Sequence, residues 1–149
     1  MNSPKTTTEK GRAFEKKVAR WARKKFNLEG LEFNHQFKGK IGVRPFEVDI
    51  VGWKKNLMGY TVVVWIECKD RKASIKRTDI NTFFDKAKDV RAAVPALTWS
   101  GLSEEQTKMN WDDLMFASTS VFDQDALAFA KKNKVSCYYC DGKIFRETK

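Results

Sequence analysis

Apolar residues are densest between Tyr60 and Lys69, where Tyr-Thr-Val-Val-Val-Trp-Ile-Glu-Cys-Lys runs greasy and then ends in an acid, a thiol and a base. Both alternating sets, Val62/Val64/Ile66 and Val63/Trp65, are apolar, the pattern of a strand buried on both faces. Residues two apart in a strand share a face, so Glu67 and Lys69 emerge side by side where this strand reaches the surface. Two charges there are costly unless something binds them.

Upstream, Phe14, Val18, Trp21, Ala22 and Phe26 recur at helical spacing and predict a helix from a cap at Thr8 to about Phe26. Leu31 to Phe37 and Val43 to Trp53 read as two strands. The second alternates Val43, Pro45, Glu47, Asp49, Val51 against Arg44, Phe46, Val48, Ile50, which places Asp49 on the face of Val51. A turn through Lys54, Lys55, Asn56 and Gly59 leads into the central strand. The three strands form an antiparallel meander, and Asp49 comes close to Glu67. Downstream, Ile80, Phe83, Phe84, Ala87 and Val90 mark a helix from about Thr78 to Ala93, stopped by Pro95. Leu114 to Thr119 reads as a strand, Asp123 as the cap of a helix to about Asn133, and Val135 to Tyr139 as a strand before a turn at Asp141-Gly142. Residues 96–113, with Trp99 and Trp111, show no assignable pattern and read as an insertion; residues 1–7 read as a flexible tail. The expected class is α/β, a central mixed β-sheet flanked by helices in the order αβββαβαβ, and 149 residues suit a single domain.

Charge adds a partner. Twenty-nine Lys and Arg against nineteen acids give +10, an excess that favours a polyanion, most simply nucleic acid. In the first helix, Lys10, Arg12, Lys16, Lys17, Arg20, Arg23, Lys24 and Lys25 form either a nucleic-acid-facing surface or a solvated one. The amino end lacks the apolar core of a secretory signal, and the longest apolar run falls short of the ~20 residues of a membrane span, so the expectation is a cytoplasmic protein without membrane contact. Cys68, Cys137 and Cys140 are too few and odd for a disulfide framework. Cys137 and Cys140 are three apart in a strand, which sends their thiols to opposite faces and argues against zinc.

The acid-x-Lys pattern occurs five times, at Glu15-Lys17, Glu67-Lys69, Asp70-Lys72, Asp141-Lys143 and Glu147-Lys149, but only one instance ends a buried strand. Together with Asp49, it supplies the parts of metal-assisted phosphodiester hydrolysis. Asp49 and Glu67 offer carboxylate oxygens for Mg²⁺, and Lys69 a cation beside the attacking water. Cys68 points to the other face, leaving its backbone carbonyl as its one means of binding metal. The plainer alternative is a rim salt bridge between Glu67 and Lys69, with Asp49 capping a turn. Glu15, beside Phe14 at the edge of the apolar stripe, has a plainer reading too, as a surface acid paired with neighbouring bases. His35 reads as structural.

Three stretches carry a resemblance: Gly11-x-x-Phe14-Glu15-x-x-Val18, Glu47-Val48-Asp49-Ile50-Val51-Gly52, and Ile66-Glu67-Cys68-Lys69. They resemble the PD-(D/E)xK nuclease superfamily, with its restriction-endonuclease-like core. Phe116-Ala-Ser-Thr-Ser-Val-Phe122, Asp125-Ala126-Leu127-x-x-Ala130 and Asp141-Gly142-Lys143 are similar to the closing half of the Mrr-type catalytic domain, and archaeal Holliday junction resolvases share the layout. The resemblance spans roughly residues 9–94 and 114–145. Val48 stands where the family often has proline. The resemblance implies Asp49 and Glu67 as metal ligands, Lys69 as the base-side catalytic residue and Glu15 as an auxiliary acid. It implies a Mg²⁺-dependent endonuclease, with Mn²⁺ able to substitute, acting on DNA with RNA not excluded. Arg71, Lys72, Lys76 and Arg77 are expected to hold backbone phosphates. A junction resolvase would act as a homodimer. Outside the enzymes, the alternative is a non-catalytic nucleic-acid-binding subunit.

Overall fold

The computed structural model describes residues 7–37, 46–55, 57, 61–92, 112–142 and 144–148. The expectations for residues 1–6, Pro95, the 96–111 segment and the His35 side chain lie outside this set. The described elements are helix α1 (Thr7–Phe26), strands β1 (Gly30–Phe37), β2 (Phe46–Lys55) and β3 (Thr61–Lys69), helix α2 (Arg77–Ala92), strand β4 (Asp112–Ser118), helix α3 (Gln124–Lys132), and strands β5 (Val135–Asp141) and β6 (Ile144–Thr148).

β3 occupies the middle of the sheet because it is apolar on both faces and only a two-sided core can bury it. The six strands lie in the order β1-β2-β3-β4-β5-β6. β1, β2 and β3 are antiparallel, and β3, β4 and β5 are parallel, with α2 between β3 and β4 in the chain and α3 between β4 and β5. Phe14, Val18, Ala19 and Ala22 of α1 pack on one face of the sheet with Ile50, Val64, Ile66, Met115 and Tyr138. Ile80 and Phe83 of α2 and Ala126 and Ala130 of α3 pack on the other face with Val51, Val63, Trp65 and Phe116. Val64 and Ile66 are 0% exposed and Val63 and Trp65 1%, so the central strand is buried on both sides. Cys137 belongs to the α2/α3-side cluster and Cys140 to the α1-side cluster, so these two thiols point away from each other.

The architecture is the expected mixed sheet flanked by helices, with one strand more than predicted. Gly142 takes φ 63°, the left-handed conformation that lets β5 turn back tightly into β6. β6 then pairs antiparallel with β5 from Asp141↔Ile144 to Cys137↔Thr148. Its anchor is Phe145, stacked on Trp21 with ring centroids 4.5 Å apart. Capping also differs from expectation: Asp123 sits at the amino end of α3 in extended conformation, but its side chain makes no cap hydrogen bond. The loop it belongs to is fixed instead by backbone bonds, Asp123 N–H to the Ile75 carbonyl (2.9 Å) and Ile75 N–H to that of Val121 (2.8 Å).

Candidate active site

The site arises where β2 and β3 part. Their ladder runs from Lys55↔Thr61 to Ile50↔Ile66 and ends there. Continued, it would bring Val48 opposite Cys68. The Cys68 N–H is satisfied instead by Asp49, whose Oδ2 accepts it at 2.9 Å. A side-chain carboxylate thus takes the place of a backbone acceptor, and a buried donor is not left orphaned. On its other side β2 is also irregular. Its register with β1 passes from Phe33↔Ile50 to His35↔Val48, skipping Asn34 and Asp49, and Asn34 adopts φ 52°.

This irregularity corrects the expected facing of Asp49. Val48 and Val51 are three apart yet belong to the same core cluster, while Ile50 belongs to the opposite one. Strict alternation is therefore broken between Val48 and Ile50, and Asp49 does not simply follow Val51 into the α2/α3-side core. It lines the mouth of a cavity of about 320 Å³ with Gly11, Arg12 and Glu15 of α1, Asn34 of β1 and Glu47.

Glu67 lies on the α2 side of β3, 9% exposed. Its carboxyl hydrogen-bonds Asp49, and Lys86 of α2 reaches Oε2 at 3.2 Å. Burial, the bond to Asp49 and the Asp49 charge push its pKa up to about 8, against the opposing pull of the Lys86 and Lys69 ammonium groups. Glu15 is raised to about 7 by burial and by the charges of Asp49 and Glu47, with Arg12 opposing. The Cys68 thiol packs against the α1-side cluster, and burial raises its pKa. Lys69, two residues beyond Glu67, is close enough for its charge to favour the ionised Glu67 carboxyl. The Lys69 carbonyl accepts the Thr119 N–H at 3.1 Å, which ties the end of β3 to the loop after β4.

The four predicted acid and base positions, Glu15, Asp49, Glu67 and Lys69, are thus electrostatically coupled around one strand end. Lys86 was not foreseen. Its Nζ donates to the Glu47 carbonyl at 2.8 Å as well as to Glu67, so it spans the gap between the diverging strands. Its position three residues after Phe83 puts it on the flank of α2 that faces the sheet, the one signal in the sequence that pointed to it.

Asp49 and Glu67 present hard oxygen donors that repel one another unless a proton or a cation lies between them. Mg²⁺ is commonly held by one or two carboxylates plus waters, and this pair suits that mode. Among the described residues, no three or more His, Cys, Asp or Glu side chains are grouped to hold a metal ion, so the donor set does not fit a closed zinc cage.

The basic loop after Lys69 is more structured than its charge implied. The Arg71 guanidinium donates to the Ser74 carbonyl (3.2 Å), the Ala73 carbonyl (3.4 Å) and the Asp79 carboxylate. Burial alone would raise the Asp79 carboxyl; the hydrogen bonds from Arg71 and from the Lys76 N–H, with the charges of Arg71 and Lys69, hold it below the usual range. Arg77 lies over the Phe129 ring, 5.2 Å from its centroid. Arg71 and Arg77 therefore have intramolecular duties, whereas Lys72 and Lys76 are exposed. Thr119 completes the loop, accepting the Arg71 N–H (3.2 Å) and donating to Asp70 (2.9 Å).

No family model and no curated protein matches the chain. Among solved structures, the crystal structure of a protein of unknown function, AF1548, superposes with a TM-score of 0.58 at 13% identity, covering 83% of this chain and 55% of that one. A repair endonuclease from Pyrococcus abyssi gives a TM-score of 0.45 at 10% identity, and EndoMS in apo form 0.40 at 10%; each pairing covers 95% of this chain and 49% of the other. The chain spans about half the length of each of these proteins. The first likeness is one of fold. No helix among the described residues is long and apolar enough to cross a membrane.

Proposed function

We propose that this chain is a metal-dependent endonuclease of the PD-(D/E)xK type that hydrolyses phosphodiester bonds in DNA. One observation carries the reading: at the end of β3 a buried Glu67 carboxyl is held by Lys86, the next residue's N–H holds the Asp49 carboxylate, and Lys69 follows two residues on. A purely structural strand end gains nothing from a buried glutamate whose pKa is raised beside a second acid, and such arrangements cluster at functional sites. Asp49 and Glu67, with the Cys68 carbonyl, would hold Mg²⁺ or Mn²⁺, which when bound supplies charge to polarise the scissile phosphate and to make its water a better nucleophile.

The chain's own residues do the rest. Lys69 orients the attacking water or stabilises the developing negative charge. Lys86 pins Glu67, and the Cys68 N–H pins Asp49, so neither carboxylate has to be ordered when the substrate arrives. Glu15 is the auxiliary acid at the mouth. Lys72 and Lys76 hold flanking phosphates on the exposed loop. DNA is the proposed partner and the cytoplasm the proposed compartment. Restriction, defence or DNA repair is the proposed role.

The test is incubation with supercoiled plasmid, single-stranded DNA, RNA and a four-way junction, each with Mg²⁺, Mn²⁺ or EDTA. Metal-dependent cutting of plasmid supports the reading. Cutting confined to the junction, by a dimer, reassigns the chain as a resolvase. Binding without cutting on any substrate reduces it to a non-catalytic subunit.

A further inference from the structure

Arg12, Lys16, Arg20 and Arg23 follow one another along α1 at spacings of four, four and three, which places them on one side of the helix. β1 meets that side with Leu31 and Phe33, which share a face. Phe33 pairs with Ile50, a member of the α1-side cluster, so the shared face is the one turned toward α1. Between helix and strand runs a groove of about 360 Å³, lined by Lys16, Ala19, Arg20, Arg23, Leu31 and Phe33. Three of these six are cations and none is a carboxylate. Phe33 is 43% exposed. A lone exposed aromatic is unremarkable on an ordinary surface, but this one lies in a cationic groove.

The groove adjoins the candidate active site. The acidic cavity is lined by Gly11, Arg12, Glu15, Asn34, Glu47 and Asp49. Glu15 precedes Lys16 on α1 and Asn34 follows Phe33 on β1, so the two share one α1–β1 cleft, basic at one end and acidic at the other.

We infer that the α1–β1 groove holds a single-stranded segment of nucleic acid, with a base stacked on Phe33 and backbone phosphates on Lys16, Arg20 and Arg23. The path of that strand toward the cut rests on the nuclease reading; the binding itself does not. A duplex keeps its base faces inside its own stack and could use only the cations, whereas an unpaired strand offers a π-face to the ring and phosphates to the basic row. From Arg12 to Arg23 the row extends about 16 Å along the helix, room for a few nucleotides.

The experiment is fluorescence anisotropy in EDTA, which suppresses cutting, with labelled oligothymidylate and oligouridylate of about 16 nucleotides and a blunt duplex of equal length. Phe33→Ala is expected to weaken oligothymidylate binding about tenfold while leaving the duplex affinity unchanged, and Phe33→Trp to retain single-strand binding. Replacing Lys16 and Arg20 together by alanine should lower the single-strand salt slope by about 1.4. A loss on both sugars, or on oligothymidylate alone, supports the groove and says which nucleic acid it takes. The inference is overturned if wild type does not bind single strands, if Phe33→Ala binds them as tightly as wild type, or if it loses the same factor on duplex. A thermal melt of each variant establishes that it is folded. Single-strand binding lost in Phe33→Ala without cutting by wild type in metal sinks the nuclease reading and keeps the groove; intact cutting with unchanged binding does the reverse.

Discussion

The Asp49 carboxylate accepts the backbone N–H of Cys68 at 2.9 Å where β2 and β3 separate, and this bond fixes one acid against the strand that carries the other. The same carboxylate contacts Glu67, so two acids are held together by backbone geometry. Their mutual repulsion has measurable consequences.

The metal-free protein should lose stability as pH rises from about 5 to 8. In the unfolded chain a glutamate titrates near 4.3, whereas in the fold Glu67 is pushed up to about 8 and Glu15 to about 7. Across that window the folded state binds more protons than the unfolded state, so stability falls with rising pH. The melting temperature in EDTA should decline over this range, Glu67→Gln should flatten the decline, and Mn²⁺ should restore more stability at pH 8 than at pH 6, with proton release on binding. A metal-free melting temperature that stays level or climbs would remove the raised carboxyls from the account.

Lys86→Met should weaken Mn²⁺ binding and cutting by about 10–100-fold, because Glu67 loses the ammonium that holds it and favours its ionised form. The alkaline shift of the pH–rate profile is the diagnostic readout, since loss of fold alone would not move it. An unshifted profile with unchanged Mn²⁺ affinity would make Lys86 a bystander.

Arg71 and Lys72 are adjacent in sequence and should behave differently. Arg71→Ala removes the clamp on Ala73, Ser74 and Asp79 and should cost about 1–2 kcal/mol of stability, with little change in the salt dependence of DNA binding. Lys72→Ala should leave stability intact and lower the duplex salt slope by about 0.9. Denaturant melts and binding titrations across salt compare the two; the opposite assignment would show that the loop reorganises on DNA.

Much of the fold was legible because its signals are local. The two apolar faces of β3 required a central strand, and the helical spacing of Phe14, Val18 and Ala22 required α1 to pack on it. β6 was missed because Ile144-Phe-Arg-Glu-Thr is polar and short, and Phe145 gains its value from Trp21 and Phe14, more than a hundred residues earlier in the chain. The placement of Glu67 and Lys69 at the end of β3 was legible, but the facing of Asp49 was not. Alternation along β2 holds only while the ladder does, and the break at Asp49 depends on Asn34 of β1 and on the parting of β3. Lys86 and the Arg71–Asp79 clamp were hidden for a related reason: beyond the spacing of Lys86 from Phe83, in so basic a sequence nothing local separates a lysine or arginine that turns inward from those that face water.

The central claim is that Asp49, Glu67 and Lys69 form a metal-dependent cutting site, and plasmid nicking by folded Lys69→Ala and Glu67→Gln proteins tests it most directly. Wild type should convert supercoiled plasmid in Mg²⁺ or Mn²⁺ and not in EDTA, and each variant should cut at least about 100-fold more slowly while still binding DNA. Cutting by Lys69→Ala at the wild-type rate, or cutting by wild type that EDTA leaves untouched, would contradict the account.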